Sequence, residues 1–197
     1  MNWKVLLLLG LIGYGAFNHY QHRPVVHGIG EIAPNEPVQG PTQASDIQLN
    51  GFTLTPLADF EIKARVLSTE DYAMGTEAKL SPTDLALGWG PMSDEAVLNQ
   101  VKITQGNRFF YWRVDAFPIP QREIEIHAAN VHVVPANATV KRQLGKIRPG
   151  QIVYIKGQLI EAKRADGWHW RSSLSREDTG AGACELIYAT QLNISEL

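Results

Sequence analysis

From Phe60 to Val66 the chain alternates strictly: Phe60, Ile62, Ala64 and Val66 are apolar, while Glu61, Lys63 and Arg65 between them are charged. A period of two puts one set on each face of an extended chain, so Phe52–Leu67 is expected as a half-buried strand with its charges in water. Other segments carry strand signals. "RFFYWRV" (Arg108–Val114) has large side chains on both faces, with Arg108, Phe110 and Trp112 opposite Phe109, Tyr111 and Arg113; that suggests a strand covered on both sides. "REIEIHAANVHVVP" continues the strands. "RPGQIVYIKGQLIEA" follows a turn at Pro149-Gly150, and "GWHWRSSL" and "ACELIYATQL" complete the set.

Helical signals are fewer. "NATVKRQLGKI" offers Asn137 as a cap and Val140, Leu144 and Ile147 as one apolar stripe. "LSPTDLALGWGPMSDEAVLNQVKI" reads as two short helices, the first capped by Ser81 with Pro82 in its opening turn, the second capped by Ser93. The resulting order is strand, helical insertion, two strands, helix, two strands. The expected class is α+β, mainly β: an OB-fold-like barrel with a two-helix insertion. An SH3-like barrel is the rival. Ile62, Phe110, Ile126, Ile155 and Leu186 are expected to close the barrel, and Gly157 to ease the bending of its fourth strand.

The chain has 197 residues, 44% of them hydrophobic, enough for one cored domain with appendages. The globular domain is placed at 51–192. Before it, residues 21–50 hold four of the eleven prolines and no apolar period, which reads as an extended tether. Its "GIGEIA" lacks the strand and helix a dinucleotide loop needs. Residues 3–20 contain an uncharged run of 13 residues, Val5–Phe17, and reach 18 when extended to Trp3 and Tyr20. That length is near the lower limit for a transmembrane helix, and a cleaved signal peptide is the alternative. Lys4 before the run favours an inner-membrane, single-pass anchor with the body outside the cytoplasm; Arg23 on the far flank opposes that orientation.

Two histidines in the third strand segment pose the sharpest chemical question. His127 and His132 are five residues apart, with Asn130 between them. On a continuous strand they face opposite ways and cannot share a ligand; only a turn at "AAN" would join them. A zinc site also wants three or four protein ligands, so no metal is expected. "WRSSLSREDTGAGACEL" supplies Arg171, Asp178, Cys184 and Glu185. Cys184, the single cysteine, rules out an internal disulfide and reads as a buried small residue after a glycine-rich hairpin loop. Trp112, His127, Asn130, His132, Arg171, Asp178 and Glu185 are the candidate binding residues. Trp89, between two glycines, is expected to plug the end of a core.

Net charge is −2, which gives no hint of a polyanionic partner. Locally, residues 141–176 carry nine Lys/Arg against two Asp/Glu, and residues 31–100 carry eleven acids against three bases. The basic block is the one route to nucleic acid; mutual compensation of the two blocks is the simpler reading. No cofactor is expected.

"GIGEIAPNEPVQ", "LSPTDLALGWGPMSD", "RFFYWR", "IHAANVHVVPA" and "WRSSLSREDTGAGACEL" together resemble a family of small bacterial membrane-anchored proteins with a single OB-like domain. The resemblance spans most of residues 24–190. It implies no particular activity and transfers no catalytic residue. The expected function is therefore a membrane-tethered module outside the cytoplasm that binds a protein or polymer partner. The alternative is a hydrolase centred on His127 and His132.

Overall fold

The computed structural model describes residues 23–180 and 182–195, together with Trp3, Val5–Gly10, Gly13 and Gly15. Its framework is a sheet closed on itself. Strand β3 (Phe52–Asp71) runs antiparallel to β4 (Thr83–Gly88), β4 to β7 (Ala128–Pro135), and β8 (Ile152–Lys163) to both β10 (Glu185–Ser195) and β3. β7 and β10 are parallel. The ring β3-β4-β7-β10-β8 thus returns to its first strand through the β3–β8 pairing. The protein is mainly β, of the α+β class, as the alternation in β3 implies.

Twenty residues in one strand cannot stay straight in a closed sheet. β3 changes register between Pro56 and Ala58 and again between Val66 and Ser68, serving β8 with its first part and β4 with its last. Each bulge adds bend and twist. Gly157 answers a related demand: it lies so close to the Tyr188 carbonyl, beside the register shift of β10, that a Cβ would overlap it. The glycine is required by close approach.

The interior is filled from the strands by Phe60, Ile62, Ala64, Val66, Leu85, Leu87, Val131, Val133, Val153, Ile155 and Ile187. Helix α4 (Ala138–Leu144), between β7 and β8, contributes Val140 and Leu144 to this core, joined by Ile147 just beyond it. Asn137 caps α4 by accepting from the Thr139 and Val140 amides at 2.9 Å each. Of the expected barrel-closing residues, Ile62 and Ile155 lie inside the barrel; Leu186 packs in a second cluster with Phe52 and Leu54, and Phe110 belongs to a third cluster with Met92 and Ile124. Ile126 is only partly buried.

Several expectations are corrected. Thr83–Gly88, read as a helix capped by Ser81, is strand β4, buried along its whole length. A strand covered on both faces has no polar period to show, and Ser81-Pro82 imitates a helix start. The helix before it is α1 (Thr76–Leu80). In the expected second helix, a 3₁₀ turn (Gly90–Ser93) leads into α2 (Glu95–Leu98), and Asp94, not Ser93, caps it through the Ala96 amide. The two-helix insertion is thus a longer one between β4 and β7: the 3₁₀ turn, α2, a separate hairpin of β5 (Lys102–Gly106) with β6 (Phe109–Arg113), and α3 (Gln121–Ile126). "RFFYWR" belongs to that hairpin and is open on one side, with Tyr111 53% exposed. "REIEI" is α3, held by amide bonds from Glu123 and Ile124 back to the Pro120 carbonyl. Arg65, expected in water, is buried and paired with Glu95 while donating to the Ser93 carbonyl.

Residues 23–50 are extended and lie against the body. Val25 donates to the Pro149 carbonyl at 2.8 Å, and Gly30 to Asp94 Oδ1 at 2.9 Å. β1 (Val38–Gly40) and β2 (Ile47–Leu49) add antiparallel to β3, and β9 (His169–Arg171) to β8. Among the described residues no helix is long and apolar enough to cross a membrane. Much of the expected anchor at 3–20 lies outside the described residues.

Candidate functional site

The site begins with a turn. Asn107 and Arg108 join β5 to β6 with φ of 53° and 69°, left-handed values that suit a tight two-residue hairpin. That turn is fastened to the barrel. The Arg108 carbonyl accepts from Asn130 Nδ2 at 2.9 Å and from the Cys184 thiol at 3.7 Å; its amide donates to Tyr72 Oη at 2.9 Å. Its guanidinium donates to Asp84 Oδ1 at 2.7 Å and lies 3.7 Å from the Tyr72 ring centre. Gln105 adds a bond to Asn130 Oδ1 at 2.7 Å.

Pinned in this way, the hairpin stands over one end of the barrel and leaves a cleft of about 250 Å³. Phe109, Phe110, Tyr111 and Trp112 form one wall, and Ala128, Ala129 and Asn130 of β7 another. The loop between β9 and β10 contributes Ser175, Arg176, Asp178 and Gly180, and Trp89 also lines the space. Trp89 plugs the barrel end as expected, 1% exposed, with its indole N–H donating to Glu36 at 2.7 Å. Gly90 beside it adopts φ 49°, and a Cβ there would lie 2.9 Å from the His127 ring.

Among the cleft's polar residues, half-buried Arg176 and buried Glu185 form an ion pair. Arg176 Nε donates to Glu185 Oε1 at 2.8 Å, and the guanidinium sits 5.3 Å from the Phe60 ring centre. Glu185 Oε2 and Arg176 Nη2 are buried without hydrogen-bond partners. Burial raises the Glu185 carboxyl to about 7, with Asp178 adding to the rise; the Arg176 charge opposes it and is outweighed. Asp178 accepts from Ser173 Oγ at 2.6 Å. Cys184 is pushed up to about 12 by burial first and by Glu185 second, so its thiol stays protonated at neutral pH and is a poor nucleophile.

Of the expected residues, the fold brings Trp112, Asn130, Asp178 and Glu185 to this cleft. His132 and Arg171 line a second, more open groove with Arg108, Trp168 and Trp170. There the His132 ring lies 4.5 Å from that of Trp170, and its Nδ1 is 2.9 Å from Asp84 Oδ1, although out of line for a hydrogen bond. Arg171 pairs with Glu161 at 3.3 Å. His127 ends α3 elsewhere, with Nε2 3.0 Å from Glu36 and Nδ1 2.9 Å from the Glu123 carbonyl. The two histidines therefore have separate partners. Sequence reasoning passed over Arg176, Asp84 and Arg108. A lone acid inside the apolar "TDLALG" and an Asn before Arg108 at a possible turn were the available signals.

Five of the nine cations in the basic block at 141–176 pair with acids, Lys163 and Arg171 sharing Glu161. Lys156, Lys163, Arg164, Arg171 and Arg176 each pair with an acid, at 3.5, 3.0, 3.1, 3.3 and 2.8 Å respectively. Among the described residues no three His, Cys, Asp or Glu side chains are grouped so as to hold a metal ion. Compared with known proteins, the chain matches no family model, no curated protein and no solved structure.

Proposed function

We propose that this protein is a membrane-tethered binding module outside the cytoplasm, and that the cleft beneath the β5–β6 hairpin receives its ligand. The observation that carries this reading is the cleft's composition: a recess of about 250 Å³ beside Phe109, Phe110, Tyr111 and Trp112, with Asn130 and the Arg176–Glu185 ion pair among its polar residues. Apolar recesses with a few converging polar groups are where proteins most often bind small ligands or side chains.

We further assign the barrel to the OB type. The antiparallel succession β3-β4-β7, the parallel β7–β10 pair and the placement of α4 between the third and fourth barrel strands support it. Anchorage rests on the apolar segment at 3–20 and the resemblance to a membrane-anchored family.

Hydrolysis at His127 and His132 is the second reading. Each histidine does have a carboxylate neighbour, Glu36 and Glu123 for the first and Asp84 for the second. Their separate surroundings, and a Cys184 thiol held protonated, favour binding over bond cleavage.

Site-specific photo-crosslinking in intact cells tests the proposal. A photoreactive residue at Tyr111, on the cleft wall, should capture a defined partner or ligand, and one at exposed Lys141 should not; Trp112→Ala should abolish capture. Equal capture from both positions, or capture indifferent to Trp112, overturns it.

A further inference from the structure

We propose that His127 is a proton-operated latch: its protonated ring holds Glu36, and with it the extended segment 23–50, against the body, and its neutral ring lets that carboxylate go. The inference does not depend on what the cleft binds. Nδ1 lies 2.9 Å from the Glu123 main-chain carbonyl, which can only accept, so this nitrogen carries a hydrogen in either charge state. Nε2 lies 3.0 Å from Glu36 Oε1. In the neutral ring Nε2 is then a bare acceptor set against a carboxylate; in the protonated ring it is a charged donor. Only the second form holds both neighbours.

Both partners are set in place by their surroundings. The His127 carbonyl accepts from the Trp89 amide at 3.0 Å, and Gly90 approaches the ring so closely that it leaves no room for a Cβ. Glu36 is fixed through its other oxygen: Oε2 accepts from the Trp89 indole at 2.7 Å. Just upstream, Ala33 donates to Ser93 Oγ at 3.1 Å and accepts from the Gly90 amide at 2.9 Å, so Glu36 closes a run of contacts that lays the segment on the 3₁₀ turn. Among the described residues, the charged side chains within ion-pair distance of the ring are Glu36 from the segment and Glu123 from α3, whose Oε2 is 3.3 Å from Nδ1. Trp89 and Gly90, which also pack on the ring, do not titrate. Arg122 of α3 is paired with Glu125 and Glu177. Glu36 is mostly exposed, so the latch is worth a factor of a few.

The test is NMR of the full chain in nonionic detergent micelles over about pH 5.5 to 8, the range in which histidines change charge. The ring protons of His127 report its charge. Hydrogen-exchange protection of the Trp89 indole and of the Ala33 and Gly90 amides, taken relative to the unstructured rate at each pH, reports the latch. In the wild type, protection should fall about two- to fivefold as His127 becomes neutral. Glu36→Gln reverses the chemistry: the carboxamide oxygen keeps the Trp89 indole while its nitrogen donates to the neutral Nε2, so protection should hold or rise over the same range. That change lies at a mostly exposed side chain and leaves His27 and Glu185 in place, so a difference between the two proteins belongs to the latch. Protection that ignores the charge of His127, or the same fall in Glu36→Gln, overturns the proposal.

Discussion

Arg108 Nη1 donates to Asp84 Oδ1 across 2.7 Å, and through this bond the β5–β6 hairpin is fastened to a fully buried carboxylate of the barrel. The hairpin is one wall of the cleft, so the shape of the site depends on this ion pair. Removing one partner of such a pair leaves the other uncompensated. Arg108→Ala should cost about 3–5 kcal/mol, because among the described residues Asp84 would keep only the misaligned His132 as an ion-pair neighbour. The double change Arg108→Met with Asp84→Asn should cost markedly less than the single one. Urea denaturation of both variants checks this, and a single variant at wild-type stability contradicts it.

Glu185 predicts a pH dependence of folding. Its carboxyl is raised in the folded state from the ordinary 4.5 to about 7, so the folded protein holds that proton more tightly than the unfolded chain does. Its contribution is therefore fully present below about pH 4.5 and is lost as pH rises toward 7. Glu185→Gln should flatten that part of the stability profile, by a few kcal/mol at most. Melting temperatures from pH 4.5 to 8 for the two proteins provide the comparison, and parallel profiles would refute the assignment.

Cys184 should resist alkylation in the native protein. A thiol near 12 in place of 9 has about a thousandfold less thiolate at neutral pH, and thiolate is the reacting form. Iodoacetamide labelling followed by mass spectrometry should show slow modification in buffer and rapid modification in denaturant. Equal rates would show the thiol to be far more accessible than its bond to the Arg108 carbonyl implies.

Gly157→Ala should destabilise the barrel by about 3 kcal/mol or more, since the added methyl meets the Tyr188 backbone and no flexible side chain can yield. Thermal unfolding measures the loss. Gly106→Ala, where a Cβ meets nothing, serves as the control and should fall within about 1 kcal/mol of wild type.

Legibility in the sequence followed the kind of burial each segment has. β3, β8 and α4 were readable because one face of each is wet for part of its length and the period survives. β4 was not, since Thr83–Gly88 is buried on both sides and carries no contrast. α3 misled in the opposite way: "REIEI" alternates like a strand, yet its residues wind into a helix that buries Ile124 and ends at His127. Four of the seven candidate binding residues converge on the cleft because they lie at the ends of β6, β7 and β10 or in the loop before β10. Arg176 stayed hidden. Its partner Glu185 lies nine positions onward, across a glycine-rich loop, and nothing in local spacing pairs them.

The most direct measurement is chemical-shift mapping of a chemically diverse fragment set on the isotope-labelled protein. The cleft reading requires that hits concentrate their shifts on the Trp89 and Trp112 indoles and the Asn130 side-chain amide, and that Trp112→Ala removes them. Hits scattered over the barrel, with those three groups unmoved, would contradict it.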